Sequence, residues 1–249
     1  MHKKTIFITG ATSGIGLLMA EACIARGANV YATGRNADAL AHLQSLGAHM
    51  IQADLTNMHE MDAVIESLPM IDVAILNAGV GTFEVAYNME ATSIDAMIDV
   101  NVRAPIQLAS RLAARMVEQK SGHLIFIGSQ AGKVATKKAS VYAASKHAIT
   151  GFVNGLRMEV QHAGVYVTGI YPGPIDTPFI DKADATNTYK QAMRKFLLQP
   201  EVVCDAVMRA IERPVREMNI PRVMALTSKM YAVAPALVEK FGSRFFNKK

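Results

Sequence analysis

The chain has 249 residues and a formal net charge of +5, from 26 Lys and Arg against 21 Asp and Glu. Hydrophobic residues make up 51% and charged residues 19%, which suits a packed globular protein and excludes an intrinsically disordered one. Two cysteines are too few for a disulfide or zinc framework, and no apolar run reaches the roughly 18 residues that span a bilayer. Composition predicts a soluble, cytoplasmic protein, and the small basic excess gives no indication of nucleic-acid binding.

Short apolar strands alternate with helical patterns along most of the chain. The predicted strands are Thr5–Thr9, Asn29–Thr33, Ala48–Ala53, Ile71–Leu76, His123–Ile127 and Tyr166–Tyr171. The predicted helices are Ile15–Arg26, Ala37–Leu46, Met58–Ser67, Arg103–Gln119, Tyr142–His162 and Pro200–Glu212. Because the strands are continuously apolar, they are expected to be buried on both faces, as in a parallel sheet between helices. The pattern therefore predicts an α/β fold: a doubly wound parallel sheet with helices on both faces, in a single domain over residues 1–221 with a divergent C-terminal tail, 222–249.

Three stretches fit this alternation poorly, namely Val80–Thr92, Thr177–Leu198 and the tail after Arg222. The first two directly follow predicted strands. In open α/β sheets, the elements that bind ligands lie beyond the carboxyl ends of the strands. We therefore expect both stretches to border a binding site, and we expect Thr177–Leu198 to be a mobile lid over a substrate.

A glycine-rich loop, Thr9-Gly10-Ala11-Thr12-Ser13-Gly14-Ile15-Gly16, stands between the first predicted strand and the first helix. The start of a helix offers backbone N–H groups and partial positive charge to a phosphate. A strand, glycine loop and helix in this order predict a dinucleotide site. The glycines occupy the first, fifth and seventh positions rather than the usual first, third and sixth, and no Lys-Ser/Thr pair follows as it would in a P-loop.

Further motifs follow this loop in chain order. They are Asn77-Ala78-Gly79, Asn101, Ser129, Tyr142-Ala143-Ala144-Ser145-Lys146 and Pro172-Gly173-Pro174-Ile175-Asp176-Thr177. With the glycine loop, the series resembles the short-chain dehydrogenase/reductase family over about residues 5–212. The resemblance implies a Rossmann fold, a nicotinamide cofactor and hydride transfer, with Asn101, Ser129, Tyr142 and Lys146 as the catalytic set.

The chemistry of that set centres on Tyr142 and Lys146, which lie one helical turn apart and share a face. A phenol has an ordinary pKa near 10, and we expect the Lys146 ammonium to lower the pKa of Tyr142. Tyr142 could then protonate a carbonyl oxygen as hydride arrives, or deprotonate an alcohol in reverse. The resemblance implies that Ser129 bonds the substrate oxygen, that Lys146 also holds the nicotinamide ribose, and that Asn101 keeps a water beside Lys146.

The end of the second predicted strand addresses the choice of cofactor. NAD enzymes usually place a carboxylate there, whereas this chain has Gly34 and then Arg35, whose planar donor fork suits a phosphate. A solvated Arg at a helix start is the alternative. We predict NADP(H), and the resemblance implies that Asp54 bonds the adenine amine. The predicted cofactor contacts are Gly10, Thr12, Ser13, Gly14, Ile15, Gly16, Gly34, Arg35, Asn36, Asp54, Leu55, Asn77, Ala78, Gly79, Tyr142, Lys146, Pro172, Gly173, Ile175 and Thr177. No metal is expected.

The expected substrate is a carbonyl compound or secondary alcohol of modest size, and two features leave its character open. Lys133, Lys137 and Lys138 after Ser129 could attract an anionic substrate or form a solvated basic loop. An apolar set could line a cleft or pack in the core or lid. Its members are Met89, Phe179, Met193 and Phe196.

The tail carries the whole net charge, because six basic residues and one acid follow Pro221, whereas residues 1–221 are formally neutral. Its apolar residues recur at helical spacing. They are Ala234, Leu237, Val238, Phe241 and Phe245. A helix packed on its own domain, a helix covering a partner subunit and a basic helix on a membrane surface all fit this pattern. Pro235 in a first turn would start such a helix.

Assembly and function each leave an alternative. Many tetrameric members of the family end with a strand and an Asp-Gly-Gly turn that helps pack subunits, and this chain lacks it. The resemblance implies a homodimer through the helices near Arg103–Gln119 and Tyr142–His162. A non-catalytic NADP-binding regulator is the alternative to an enzyme, because fold does not determine function. Within catalysis, the same residues could serve epimerisation or dehydration.

Overall fold

A computed structural model describes residues 1–184 and 186–241, and it forms one parallel sheet with helices on both faces. The strands are β1 (Thr5–Thr9), β2 (Asn29–Gly34), β3 (His49–Gln52), β4 (Val73–Leu76), β5 (Gly122–Ile127), β6 (Val165–Pro172) and β7 (Glu217–Ile220). The helices are α1 (Gly14–Ala25), α2 (Ala37–Ser45), α3 (Met58–Ser67), α4 (Ala91–Ile98), α5 (Ala104–Gln119), α6 (Ser140–Val160), α7 (Pro178–Ala183), α8 (Thr188–Met193), α9 (Pro200–Glu212), α10 (Val223–Val233) and α11 (Pro235–Phe241).

The strands follow the order β3-β2-β1-β4-β5-β6-β7, and every neighbouring pair is parallel. The order reverses between β1 and β4, so the loops that leave these two strands diverge to opposite faces of the sheet. Such a reversal opens a crevice at the carboxyl ends of the strands. This confirms the predicted doubly wound Rossmann fold and places the glycine loop beside the crevice.

Side chains from the strands enter two apolar cores. Ile6 and Ile8 of β1 pack in the first core with residues of α1, α2 and α9, whereas Phe7 between them packs in the second core with residues of α3, α5 and α6. Alternate residues of a strand point to opposite faces, so a continuously apolar strand supplies both layers. The continuous runs in the sequence are therefore accounted for by burial on both sides.

Most predicted elements are confirmed, and several match to the residue: Thr5–Thr9, Met58–Ser67 and Pro200–Glu212. The third and fourth strands are shorter than predicted, at His49–Gln52 and Val73–Leu76. Apolar residues outside them, such as Ile71, are buried without joining the ladder. Hydrophobic pattern reports burial, whereas a strand boundary is set by backbone pairing.

The sequence pattern did not predict β7 or α4. The four residues Glu217–Ile220 pair with β6 at the edge of the sheet, and two of the four are polar. An edge strand that is half exposed lacks the continuous apolar signal of a central strand. The helix α4 begins at Ala91, where the poorly fitting stretch Val80–Thr92 ends, and it runs into a π-helical turn, Asp99–Arg103.

The tail contains two helices, α10 and α11, and α11 begins at Pro235 as the first-turn proline predicted. No helix in the described part of the chain combines the length and apolarity needed to cross a bilayer. Leu237 is exposed, whereas Ala234 and Val238 are half-buried. The expected apolar stripe therefore faces solvent at one position and the protein at two others. The Phe241 side chain and Phe245 lie outside the described structure. The homodimer and the membrane surface stay predictions.

The turn from β1 into α1 depends on two glycines. Gly10 has a φ of +63°, in the left-handed region that favours glycine. A Cβ on Gly16 would lie 2.1 Å from the Gly10 carbonyl oxygen and 2.5 Å from Asn77 Nδ2. The first turn of α1 therefore packs directly on the backbone of the loop, and no side chain fits between them.

Gly16→Ala is expected to lower the free energy of unfolding by about 1–3 kcal/mol, because the added methyl must displace the Gly10 backbone. Thermal unfolding followed by circular dichroism measures the change. Gly155→Ala is the matched control, since it adds the same methyl to a helix where nothing lies within 4 Å of the new atom. A Gly16→Ala protein as stable as wild type would contradict the contact.

Candidate active site

A cleft of about 720 Å³ lies at the carboxyl ends of the strands, where the sheet order reverses. The glycine loop, Arg35 and Asp54 line one part of it, and Ser129, Tyr142 and Lys146 line another. This volume is within the range of small-molecule and cofactor sites. The cleft thus unites residues that are separated by more than a hundred positions in sequence.

Nearly all residues predicted as functional line this cleft. They are Gly10, Thr12, Ser13, Gly14, Ile15, Gly34, Arg35, Asp54, Leu55, Asn77, Ala78, Gly79, Ser129, Tyr142, Lys146, Pro172, Gly173, Ile175 and Thr177. Gly16, Asn36 and Asn101 do not line it. The Asn36 side chain instead caps α2 by accepting a hydrogen bond from the Ala39 N–H at 3.0 Å. The Asn101 side chain is hydrogen-bonded to Val80 and Ser145 instead of lining the cleft.

Asn77 joins the glycine loop to the end of β4. Its Nδ2 donates to the carbonyl oxygens of Thr9 and Gly10, each at 3.1 Å, and the Thr9 hydroxyl accepts from the backbone N–H groups of Asn77 and Ala78. Both amide protons of Asn77 are therefore engaged in the loop. In this structure the Asn77 side chain shapes the loop, and its contact with a cofactor stays a prediction.

Arg35 and Asp54 face each other at the ends of β2 and β3, with 3.7 Å between Arg35 Nη1 and Asp54 Oδ2. The Arg35 side chain is 71% exposed, so the ion pair with Asp54 orients the guanidinium while leaving it open to solvent. Hydrogen bonds from Thr56 lower the pKa of Asp54 and outweigh its desolvation, and Arg35 adds to the effect. A larger residue at position 34 would be crowded, because a Cβ on Gly34 would lie 2.5 Å from Thr12 Cγ2.

Ser129 begins a short 3₁₀ helix after β5, and its Oγ accepts a hydrogen bond from the Ala131 N–H at 3.1 Å. Ser129 also hydrogen-bonds the side chain of Tyr142. Burial raises the pKa of Tyr142 to about 12, although the Ser129 bond acts in the opposite direction. The expectation that the pKa of Tyr142 is lowered is wrong for this structure, because desolvation raises this pKa by more than the Ser129 bond lowers it.

Lys146 lies one turn after Tyr142 on α6 and is 6% exposed. Its Nζ is 5.8 Å from the centroid of the Tyr142 ring and 3.4 Å from the Ile127 carbonyl oxygen. Burial lowers the pKa of Lys146 to about 8. The ammonium is therefore still mostly protonated at pH 7, although its contacts offset little of the cost of removing it from water.

Asn101 is buried and does not line the cleft. Its Nδ2 donates to the Val80 carbonyl at 2.8 Å and to Ser145 Oγ at 3.0 Å, and its Oδ1 accepts from the Val80 N–H. Ser145 in turn donates to the Tyr142 carbonyl at 2.8 Å. Asn101 therefore links the loop after β4 to the turn of α6 that carries Tyr142. The water predicted beside Lys146 stays a prediction.

An aromatic cluster around Tyr142 includes residues that the sequence did not single out. Ring centroids of Phe83 and Tyr142 are 5.7 Å apart, those of Tyr142 and Phe179 are 5.8 Å apart, and those of Phe83 and Tyr189 are 4.7 Å apart. Phe83 and Tyr189 lie in the irregular stretches, where no periodic signal marks them. Phe179, Met193 and Phe196 line the cleft, whereas Met89 is buried beneath Tyr142.

The basic loop after Ser129 does not present Lys133 to a substrate. Lys133 Nζ lies 3.0 Å from both Glu217 carboxylate oxygens and from Asn219 Oδ1, and 4.1 Å from the centroid of the Tyr171 ring. These contacts join the loop to the edge strand β7. An anion-binding role for Lys133 is therefore not supported, because its ammonium is paired with Glu217.

The two ends of the predicted lid, Thr177–Leu198, lie close together beside the cleft. Ile175 forms a bridge with Leu198 at the base, and Lys190 pairs with Asp181 at 2.7 Å and Asp176 at 3.5 Å. The Phe83 N–H donates to the Ala183 carbonyl at 2.8 Å and ties the lid to the loop after β4. Its movement stays a prediction.

Comparison with known proteins gives consistent matches. The family model described as short chain dehydrogenase matches residues 4–188. An uncharacterized oxidoreductase of Staphylococcus aureus strain MRSA252 is 33% identical over 228 residues, which cover 88% of this chain and 95% of that protein. The closed form of a serine dehydrogenase complexed with NADP+ superposes with a TM-score of 0.81 at 30% identity, covering 86% of this chain and 93% of that one. A short-chain dehydrogenase from Sphingobium yanoikuyae in complex with NADPH gives 0.81 at 26% identity, covering 94% and 96%.

Lys146→Met is expected to raise the melting temperature of the cofactor-free protein at pH 7, because folding would no longer bury a cation. The folded pKa of Lys146 is about 8 against an ordinary value of 10.5. The stability penalty is thus complete below pH 8 and disappears as pH rises through about 10.5. Melting curves of both proteins from pH 7 to 10.5 should show the advantage of the variant shrinking.

Lys229→Met, which removes an exposed lysine of α10, serves as the control and should show no comparable pH-dependent gain. A Lys146→Met protein that is less stable than wild type at pH 7 would mean that the burial cost is offset within the folded protein.

Proposed function

Since the chain belongs to the short chain dehydrogenase family of oxidoreductases, we propose that it reduces a carbonyl compound to a secondary alcohol with NADPH, or runs the reverse reaction with NADP+. The observation that carries this proposal is the single cleft in which Tyr142, bonded to Ser129 and adjacent to Lys146, lies with the glycine loop and Arg35. The catalytic and cofactor-binding residues named below are part of the same proposal.

The residues present fit a dinucleotide. Gly14 has a φ of +53° and no side chain caps the first turn of α1, so the backbone of the loop faces the cleft without obstruction. The start of α1 would hold the pyrophosphate, Arg35 and Asp54 the adenosine part, and Lys146 the nicotinamide ribose. When bound, NADPH supplies the hydride that reduces the carbonyl carbon and leaves as NADP+.

Arg35 supports NADP(H) over NAD(H). The end of β2 carries Gly34 where a carboxylate would bond the ribose hydroxyls, and the guanidinium of Arg35 is exposed there as a donor for a 2′-phosphate. Two structural relatives were solved with NADP+ and NADPH. Asp54 contributes by directing Arg35, and its carboxylate keeps acceptor capacity for an adenine amine.

Tyr142 acts as the general acid in reduction. With a pKa of about 12 in the cofactor-free protein, its phenol is fully protonated at neutral pH and can give its proton to the carbonyl oxygen. Ser129, which already bonds Tyr142, orients the same oxygen. The protonated Lys146 ammonium then favours the phenolate that forms, since opposite charges at short range stabilise each other in a buried site.

Tyr142→Phe is expected to lower turnover by at least about 10²-fold, because the proposed general acid at the carbonyl oxygen is removed. Cofactor affinity should change little, since the ring and its packing against Phe83 and Phe179 are retained. Loss of NADPH absorbance measures turnover, and NADPH fluorescence titration measures binding. A variant that keeps substantial activity would contradict the assignment, whereas an inactive wild type that binds NADPH would favour a regulator.

Arg35→Ala is expected to lower kcat/KM for NADPH by about tenfold or more, the loss of one charge-assisted hydrogen bond. The value for NADH should stay nearly constant, because NADH has no 2′-phosphate. Arg213→Ala is the control, since Arg213 is an exposed arginine that does not line the cleft. Equal efficiency of the wild type with NADH and NADPH would overturn the preference.

A further inference from the structure

The two parts of the cleft differ in charge. Among the described residues that line it, only Arg35, Asp54 and Lys146 are charged. Arg35 and Asp54 lie together at the ends of β2 and β3, and Lys146 is buried beneath the site beside Tyr142. Beyond Tyr142, therefore, none of the described lining residues is a cation that could pair with an acidic group on a substrate.

The wall beyond Tyr142 is formed by aromatic and apolar side chains. Phe83 and Phe179 contact the Tyr142 ring directly, and Tyr189 packs on Phe83. Val134, Met193 and Phe196 also line the cleft, and Phe196 is 50% exposed. Aromatic side chains provide large apolar contact areas with little loss of freedom. This surface suits an apolar group attached to the reacting carbonyl.

Two lysines that stand next in sequence to lining residues, Lys133 beside Val134 and Lys190 beside Tyr189, are paired with carboxylates of the same chain. Lys133 is bound by Glu217 and Asn219, and Lys190 is bound by Asp181 and Asp176. Their nitrogen atoms face carboxylates of the same chain at distances of 2.7 to 3.5 Å. Neither lysine lines the cleft.

Two helices of the tail also line the cleft. Met224 and Thr227 of α10 and Val238 of α11 line the cleft. Met224 lies close to the loop after β6, since a Cβ on Gly173 would be 3.1 Å from its Sδ and Cε atoms. Residues 222–249 carry the whole net charge of the protein, yet the tail residues up to 241 that line the cleft are all uncharged.

We propose that the substrate is an uncharged carbonyl compound with a bulky apolar or aromatic substituent, and that α10 and α11 select it through Met224 and Val238. The proposal rests on the proposed function. An apolar substituent gains from burial against this wall, at about 25 cal/mol per Å². A carboxylate would lose its hydration there without gaining a partner, which is costly.

The reaction on such a substrate is balanced by groups already named. The carbonyl carbon receives hydride, the oxygen receives the Tyr142 hydroxyl proton, and the products are the secondary alcohol and NADP+. The protonated Lys146 lies near the Tyr142 ring, and a proton from solvent restores the phenol. No charged group on the substrate takes part in these steps, so selection against a carboxylate acts on binding at the wall.

A matched pair of ketones tests the proposal: methyl 4-acetylbenzoate and 4-acetylbenzoate share one reacting carbonyl and differ in one negative charge. With full-length wild type and NADPH, kcat/KM for the ester should exceed that for the acid by at least about tenfold. Equal values, or faster reduction of the acid, would overturn the proposal while leaving the proposed function standing. A wider panel of ketones with no NADPH oxidation in any case would instead contradict the proposed function, and with it the premise.

The role of the tail is tested with Val238→Lys, which places a cation on the wall. This variant should raise kcat/KM for the acid relative to the ester by about tenfold, whereas Leu237→Lys, one residue earlier on the exposed side of α11, should leave the ratio unchanged. Met224→Lys provides a second position, and melting curves verify that each variant is folded. An unchanged ratio in both folded wall variants would overturn the role of α10 and α11.

Discussion

The Asn77 amide holds the ends of β1 and β4 together, and the arrangement of the cleft depends on this junction. Its two hydrogen bonds reach the carbonyl oxygens of Thr9 and Gly10 at the point where the strand order reverses. Gly16 packs on the same carbonyl of Gly10, so the first turn of α1 is placed by the same few atoms. Because the loops diverge from this point, the glycine loop and the end of β5 face one crevice from opposite sides. Local hydrogen bonding thus sets the relation between the proposed cofactor site and the proposed catalytic residues.

Burial of Lys146 beside Tyr142 costs folding stability at the site where the proposed chemistry takes place. Desolvation raises the pKa of Tyr142 to about 12 and lowers that of Lys146 to about 8. Both shifts favour the neutral forms of the two side chains. Keeping the Lys146 ammonium charged in the folded protein at pH 7 therefore costs stability. Groups with perturbed pKa values that converge in a cleft are typical of catalytic sites. The helical spacing of the two residues predicted their proximity, but it could not show that desolvation would outweigh the attraction between phenolate and ammonium, because that balance depends on the surrounding layers.

Several charges and apolar residues acquired their roles only from contacts distant in sequence. Lys133 is more than eighty positions from Glu217, and their ion pair exists because β7 joins the sheet beside β6. Met89 and Phe179 looked equivalent in the sequence, yet one lies beneath Tyr142 and the other lines the cleft. Periodicity marks a residue as apolar or basic, but it does not state which neighbour will cover it. The division of the tail between exposed Leu237 and half-buried Val238 has the same cause.

The sequence by itself determined the layered α/β architecture, the position of the glycine loop and most of the predicted site residues that line the cleft. These features follow from local rules: continuous apolar runs require burial on both faces, and glycines are needed where the chain turns sharply or packs backbone against backbone. Only the tertiary structure decided the edge strand β7, the direction of the pKa shift of Tyr142, the structural roles of Asn36, Asn77 and Lys133, and the uncharged wall formed by the lid and the tail. Each of these depends on which surfaces meet across the fold, where desolvation and pairing energies are set by neighbours that sequence spacing does not specify.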